Sequence, residues 1–218
     1  MKIIIFGATG TAGSEVVRQA VADPEIEQVF VVVRQSVEIE HLKLTTIIHS
    51  NFLDYKELLP VFQEVDACIW CLGISQNKVS KEQYFAITYE YVMAAAKAIL
   101  SVNPEIAFVF LSGQGADSSE KSRILFARVK GKTENALKSL PIKRLYILRP
   151  AGILPVVLPD NLTSGKKMEF DILKLTARLL PRFTITTVQL AQAMLILIRK
   201  RKDSVLLENQ NIKAIIYS

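Results

Sequence analysis

Three glycines stand close together near the start of the chain, in the run Gly7-Ala8-Thr9-Gly10-Thr11-Ala12-Gly13. The short apolar stretch Lys2–Phe6 leads into them, and periodic apolar residues follow, Val16, Val17, Ala20 and Val21. A strand, a turn and a helix in that order can cradle a dinucleotide. Gly7 permits the tight turn, Gly10 lets the backbone approach a pyrophosphate with no Cβ between them, and Gly13 lets the helix sit close on the strand. Thr9, Thr11 and Ala12 complete the turn and the first helical residues, whose free N–H groups and positive dipole end face the phosphates.

Further positions refine the ligand. The second apolar run ends Val31-Val32-Val33-Arg34-Gln35-Ser36, with no carboxylate before Glu38. A site for NAD offers an acidic residue there for the ribose 2′-OH, whereas a 2′-phosphate needs a cation. Arg34, with a hydrogen bond from Ser36, therefore favours NADP over NAD, against the plainer reading of Arg34 as a solvated strand end. In Asn51-Phe52-Leu53-Asp54 a side chain could receive the adenine amino group, or Asp54 could cap the next helix, and both can hold. Leu72 and Gly73 lie in Cys71-Leu72-Gly73-Ile74-Ser75, where a glycine lets a loop pass close to the nicotinamide ribose.

The elements that must position these residues alternate in type. Strands are expected at Lys2–Phe6, Gln28–Val33, Thr46–His49, Ala67–Cys71, Ala107–Leu111, Leu145–Arg149 and Ala214–Tyr217. Helices are expected at Ala12–Val21, Tyr55–Val61, Lys81–Ser101, Ser122–Leu140, Asp171–Leu179 and Thr187–Arg199. Unbroken apolar strands with helices between them imply an α/β fold: a Rossmann-like, doubly wound parallel sheet with helices on both faces. The chain of 218 residues suits one such domain, with 153–183 as a substrate or lid segment that is irregular at Pro155, Pro159 and Gly165. The loops Ile74–Lys81, Gly113–Ser122 and Ile153–Lys167 should shape the substrate pocket, and Leu154 to Leu158 would give it an apolar lining or a partner surface.

Composition excludes several classes. Half of the residues are hydrophobic and mean hydropathy is +0.27, yet Ala193–Ile198, the longest apolar run, stops at Arg199, so no membrane insertion is expected. Ile3–Phe6 is too short for a cleavable leader, which points to the cytoplasm. A net charge of +6 suits anionic ligands without requiring a nucleic acid. Cys68 and Cys71 fit C-x-x-C, but on a strand residues three apart face opposite sides, so no metal or redox pair is expected. Arg199-Lys200-Arg201-Lys202 follows an apolar helix, where cations complement the dipole, and lacks the interleaved aromatics of a nucleic-acid site.

The glycine run, the Val33-Arg34 strand end, Cys71-Leu72-Gly73-Ile74-Ser75, Leu111-Ser112-Gly113-Gln114-Gly115-Ala116-Asp117, Val129-Lys130-Gly131-Lys132-Thr133-Glu134 and Leu148-Arg149-Pro150-Ala151-Gly152 together resemble the atypical short-chain dehydrogenase/reductases. The similarity is greatest to the Tat-interacting-protein-like oxidoreductases and NmrA-like proteins, and it extends through Val188–Met194. It implies a catalytic Ser, Tyr and Lys: the Ser orients a carbonyl, the Tyr is the acid/base, and the Lys lowers the Tyr pKa and holds the nicotinamide ribose. Ser112 matches the Ser and Lys130 the Lys, while Phe126 occupies the Tyr position. A phenyl ring has no proton to give, and such acid/base help is worth about 10²- to 10⁴-fold.

Tyr84, Thr88 and Tyr91 share a helical face and could supply a substitute hydroxyl or simply fill the core. Three functions stay open. One is NADP-dependent reduction of a small carbonyl or related substrate with a degenerate site. The second is a non-catalytic NADP(H) sensor that binds a protein partner, and the third is an epimerase-like isomerase. The larger C-terminal substrate region of the epimerases has no counterpart of sufficient size here.

Overall fold

Residues 1–35, 41–156, 174, 178, 180–200 and 204–217 are described by a computed structural model of the chain. Seven strands form one parallel sheet: β1 (Lys2–Phe6), β2 (Gln28–Val33), β3 (Leu44–Ile48), β4 (Ala67–Trp70), β5 (Ala107–Leu111), β6 (Arg144–Arg149) and β9 (Val205–Glu208). Their order is β3-β2-β1-β4-β5-β6-β9, and every neighbouring pair is parallel. The order reverses between β1 and β4, and the crevice at such a switch point is where doubly wound sheets take their ligands. A separate parallel pair joins β7 (Gly152–Leu154) to β8 (Thr184–Thr186). This is the Rossmann-like α/β fold that the alternating apolar runs imply.

Strand residues alternate between two cores, so one run of apolar residues serves both faces. Ile3, Ile5, Val31, Ile69 and Val109 face α1 (Thr11–Ala22), α6 (Thr187–Arg199) and α7 (Asn209–Ile216). Ile4, Phe6, Val32, Trp70, Phe108 and Phe110 face α2 (Leu59–Glu64), α4 (Tyr91–Val102) and α5 (Leu125–Lys138). Capping boxes start two helices: Ser80 with Gln83 opens α3 (Lys81–Phe85), and Thr186 with Gln189 opens α6.

Some expectations need correction. The seventh strand is Val205–Glu208, and Ala214–Tyr217, expected as a strand, lies almost wholly within α7. Ile212 and Ile215 recur at helical spacing there, and the first is fully buried. Cys71 lies one residue past β4. Lys174 and Arg178 of the helix expected at Asp171–Leu179 are helical, and the rest of that helix and most of the segment 153–183 lie outside the described residues, as does Ser36.

The stretch Lys81–Val102 is long and apolar enough by length and composition to cross a membrane, although no single uninterrupted apolar run is. In this fold Val92, Ala95, Ala96 and Ile99 of that stretch pack on the sheet. Its middle is a π turn, Ala86–Glu90. The wider turn leaves the Thr88 carbonyl to accept from Thr133 Oγ1 of α5 at 3.3 Å.

Helix α5 reaches the sheet by pressing on the loop after β5. A Cβ on Gly131 would sit 1.8 Å from the Asp117 carbonyl oxygen, so only glycine fits. The loop is held in turn by the Asp117 carboxylate, which accepts from the backbone N–H groups of Ser119, Lys121 and Ser122. Gly131→Ala is expected to lower stability in urea denaturation by about 2 kcal/mol or more, because helix or loop must retreat. Unchanged stability would mean that the loop yields freely.

Candidate functional site

The cradle lies at the carboxyl ends of β1, β2 and β4. Gly7 has φ +80°, and a Cβ on it would stand 2.5 Å from the Leu72 backbone nitrogen. A Cβ on Gly13 would stand 2.1 Å from the Gly7 carbonyl oxygen. The turn after β1, the loop after β4 and the start of α1 therefore touch backbone to backbone. Gly10 is the N-cap of α1, no side chain caps that end, and Thr9, Gly10 and Thr11 are exposed. The N–H groups of Thr11, Ala12 and Gly13 thus head the helix with its positive dipole end. Nothing stands within 4 Å of a Cβ position on Gly73. An uncapped helix end, a glycine-rich turn and open space beyond Gly73 fit a dinucleotide.

At the adenosine end, Arg34 lies exposed just past β2 and makes no ion pair with a described residue. Asp54 Oδ1 accepts from the Lys56 N–H at 3.1 Å and Asn51 Oδ1 from the Leu53 N–H at 3.2 Å, so both side chains brace their own loop. His49 is buried beside them, stacked on Tyr55 at 5.1 Å, and its Nε2 has no partner among the described residues.

The other end is a buried polar cluster. Ser112 continues the face of Phe108 and Phe110, which α5 covers, and its Oγ donates to Glu134 Oε1 at 2.5 Å. Glu134 is fully buried and is also gripped by Arg149, through Nε at 2.9 Å and Nη2 at 2.5 Å. Arg149 reaches on to Ser118 Oγ at 2.9 Å and Glu208 Oε1 at 3.1 Å. The residue that meets Phe126 is instead Gly113, where a Cβ would lie 2.8 Å from the Phe126 Cζ. The tip of the ring fills the space that a side chain at position 113 would need. Gln76 Oε1 accepts from the Phe126 N–H at 2.8 Å and so caps α5, which has no cap from its own N-cap residue, Ile124.

Tyr84 and Thr88 are buried in the core, Tyr91 stacks on Phe52 at 5.4 Å, and Tyr89 stacks on Phe85 at 5.0 Å beneath Lys132. Cys68 and Cys71 belong to opposite cores, and among the described residues no group of His, Cys, Asp and Glu could hold a metal. Burial pushes the Cys71 thiol up to about 12, although Lys130 draws it the other way.

Of the residues missed from sequence, Gly113, Glu134 and Arg149 lie within the family-like motifs but had no assigned role. A signal existed for Glu134, which follows Lys130 by one helical turn and shares its buried face. Gln76 had none, because it acts across 50 positions.

Lys130 is 8 % exposed, and its Nζ donates to the Leu111 carbonyl at 2.9 Å and lies 4.7 Å from the centre of the Phe110 ring. Burial pulls its pKa down to about 8, against the attraction of Glu134 and Cys71. Between that value and 10.5 the unfolded chain binds more protons than the folded one, so this residue makes stability rise with pH across the window. Relative to Lys130→Met, the wild type should gain on the order of 3 kcal/mol from pH 7 to pH 11 in chemical denaturation. A constant difference between the two proteins would refute the burial of this charge.

Residues 7–154 match the family model described as NAD(P)H-binding. The protein HTATIP2 of Rattus norvegicus is 26% identical over 155 residues, which are 70% of this chain and 62% of that protein. The chain therefore spans less than two thirds of that relative's length. The mitochondrial protein FMP52 of Candida albicans is 28% identical over 159 residues, 71% of this chain and 68% of that protein. Among solved structures, Gre2 of Candida albicans in complex with NADPH superposes with a TM-score of 0.71 at 18% identity, covering 95% of this chain and 78% of that one. The UDP-N-acetylglucosamine 4-epimerase of Bacillus cereus does so with a TM-score of 0.70 at 14% identity, covering 95% and 77%. The family match takes in the glycine turn, β4 with its following loop, Phe126 and Lys130, and the chain belongs to the NAD(P)H-binding family.

Proposed function

We propose that this chain is an NADP(H)-binding protein of the oxidoreductase type in which the proton relay for carbonyl reduction is dismantled. One observation carries the reading: Phe126 packs into the empty side-chain space of Gly113 while the Ser112 hydroxyl is turned to Glu134. In this reading Gly7, Thr9, Gly10, Thr11, Ala12 and Gly13 hold the pyrophosphate, and Arg34 with Ser36 takes the 2′-phosphate. Asp54 borders the adenine, Leu72 and Gly73 flank the nicotinamide ribose, and Lys130 holds the ribose hydroxyls. Ser112 becomes a support for the site and ceases to orient a substrate. NADP is favoured over NAD by the Arg34 cation at the end of β2, which makes no ion pair with a described residue. When bound, the dinucleotide supplies hydride chemistry.

The same observation favours a second reading, a sensor whose bound dinucleotide alters its affinity for a protein partner. Epimerase-like chemistry ranks behind both, because it too needs a Tyr at position 126. The proposal takes 1–218 as one domain, with 153–183 as its substrate or lid segment. Its location is taken as cytoplasmic, and fractionation should test this because the fungal FMP52 relatives are mitochondrial by name.

Fluorescence titration separates these claims. NADPH should bind, and Arg34→Ala should weaken NADPH by about 10-fold or more, consistent with loss of a charge-assisted contact of 1.5–3 kcal/mol, while NADH affinity changes little. Equal losses for the two dinucleotides would refute the 2′-phosphate assignment. Failure to bind either would refute the function itself.

A further inference from the structure

Helix α5 begins without a cap of its own. Its N-cap residue, Ile124, has no side-chain acceptor, and the first helical hydrogen bond runs from the Arg128 N–H to the Ile124 carbonyl at 3.1 Å. The N–H groups of Leu125, Phe126 and Ala127 therefore precede the helical ladder and need acceptors from elsewhere. Ser122, just upstream, is engaged locally: its Oγ accepts from the Ile124 N–H at 3.1 Å, and its carbonyl accepts from Arg128 Nη1 at 2.7 Å. The acceptor that reaches the Phe126 N–H is Gln76 Oε1, at 2.8 Å, from the loop that follows β4.

That loop is a wall of the crevice. Its first residue, Cys71, donates its N–H to the Phe6 carbonyl at 2.9 Å, and the Leu72 backbone lies against Gly7. Gly73 faces open space, and the short turn Gln76–Lys78 follows. Phe126 is held a second time through its ring, which fills the side-chain space of Gly113 in the loop after β5. One residue in the first turn of α5 thus ties two loops together, and Lys130 comes one turn later with its Nζ on the Leu111 carbonyl at 2.9 Å. Holding a long carboxamide side chain in one geometry costs rotamer freedom, and that cost falls when the loop that carries it is already ordered.

We propose that Gln76 is a positioning residue for the dinucleotide: its carboxamide straps the loop after β4 to the first turn of α5, so that filling the crevice at Leu72 and Gly73 firms the helix that carries Lys130. The inference rests on the dinucleotide reading above. Such coupling is reciprocal, so loss of the strap weakens the dinucleotide as well as loosening the helix.

The test is amide-resolved hydrogen exchange by NMR on the full chain, with and without NADPH. In the wild type NADPH should slow exchange of the Phe126 N–H. Gln76→Met keeps the length of the side chain and removes the acceptor, so it should abolish this slowing and weaken NADPH about fivefold, the size of one lost helix cap. Gln76→Glu restores an acceptor oxygen and suits the positive helix end, so it should bring NADPH affinity back to within about twofold of the wild type and restore the slowing. NADPH binding that leaves the Phe126 rate of the wild type unchanged overturns the inference alone, and this comparison needs no variant, so a Gln76→Met protein that fails to fold leaves the test intact. Slowing that persists in Gln76→Met overturns it too, because the hydrogen bond then only supports the fold. So does a Gln76→Glu protein that behaves like Gln76→Met. Absence of NADPH binding to the wild type overturns the dinucleotide reading and the inference with it.

Discussion

Backbone meets backbone at the head of the sheet, and the geometry of the molecule depends on that approach. The turn after β1 can pass under the loop at Leu72 only because Gly7 carries no Cβ, and α1 can lie on the turn only because Gly13 carries none. Each missing side chain removes a clash that packing elsewhere could not relieve, since the neighbours are main-chain atoms of the central strands. The same approach sets the direction of α1 and so aims an uncapped helix end at the crevice where the strand order reverses. Binding capacity is here a by-product of close packing.

The opposite end of the crevice is governed by a buried charge. Glu134 has no exposure to water, and a lone carboxylate there would be costly. Arg149 meets it through two nitrogens, Ser112 gives it a further hydrogen bond, and Arg149 ties the cluster to Ser118 and to Glu208 at the end of β9. Such a network is stiff, because withdrawing any member leaves another unsatisfied in a region of low dielectric. It fixes the end of β5 and holds the Ser112 hydroxyl against Glu134. Lys130, anchored one turn away to the Leu111 carbonyl, stays on the same face.

Between these two fixed ends lies the contact of Gly113 with the Phe126 ring. Gly113 and Phe126 are complementary in shape, ring against empty space, so the change at one position is accommodated by the other. A serine at 113 would strike the ring.

Much of this was legible in the amino-acid order. The apolar runs of β1, β2 and β5 have one reading, and their bounds agree with the expected ones because strands buried on both faces carry the strongest local signal. The glycine turn was legible for a similar reason, since a local backbone requirement leaves a local residue trace. The segment 214–217 misled because Ile215 and Ile216 suit a strand as well as a helix, and a short apolar run does not by itself distinguish them. Asp54 left two roles open, and its carboxylate accepts from the Lys56 N–H within its own loop, one residue before the N-cap Tyr55 of the following helical turn.

By itself, then, the sequence determined the doubly wound sheet, the glycine turn and a phenyl ring at 126, all properties of residue type or short-range period. Only the tertiary structure decided where the Ser112 hydroxyl points, that Gly113 is the residue facing Phe126, and that Gln76 caps α5. Those outcomes depend on which side chains meet across long separations in a packed interior, and no local spacing encodes that meeting.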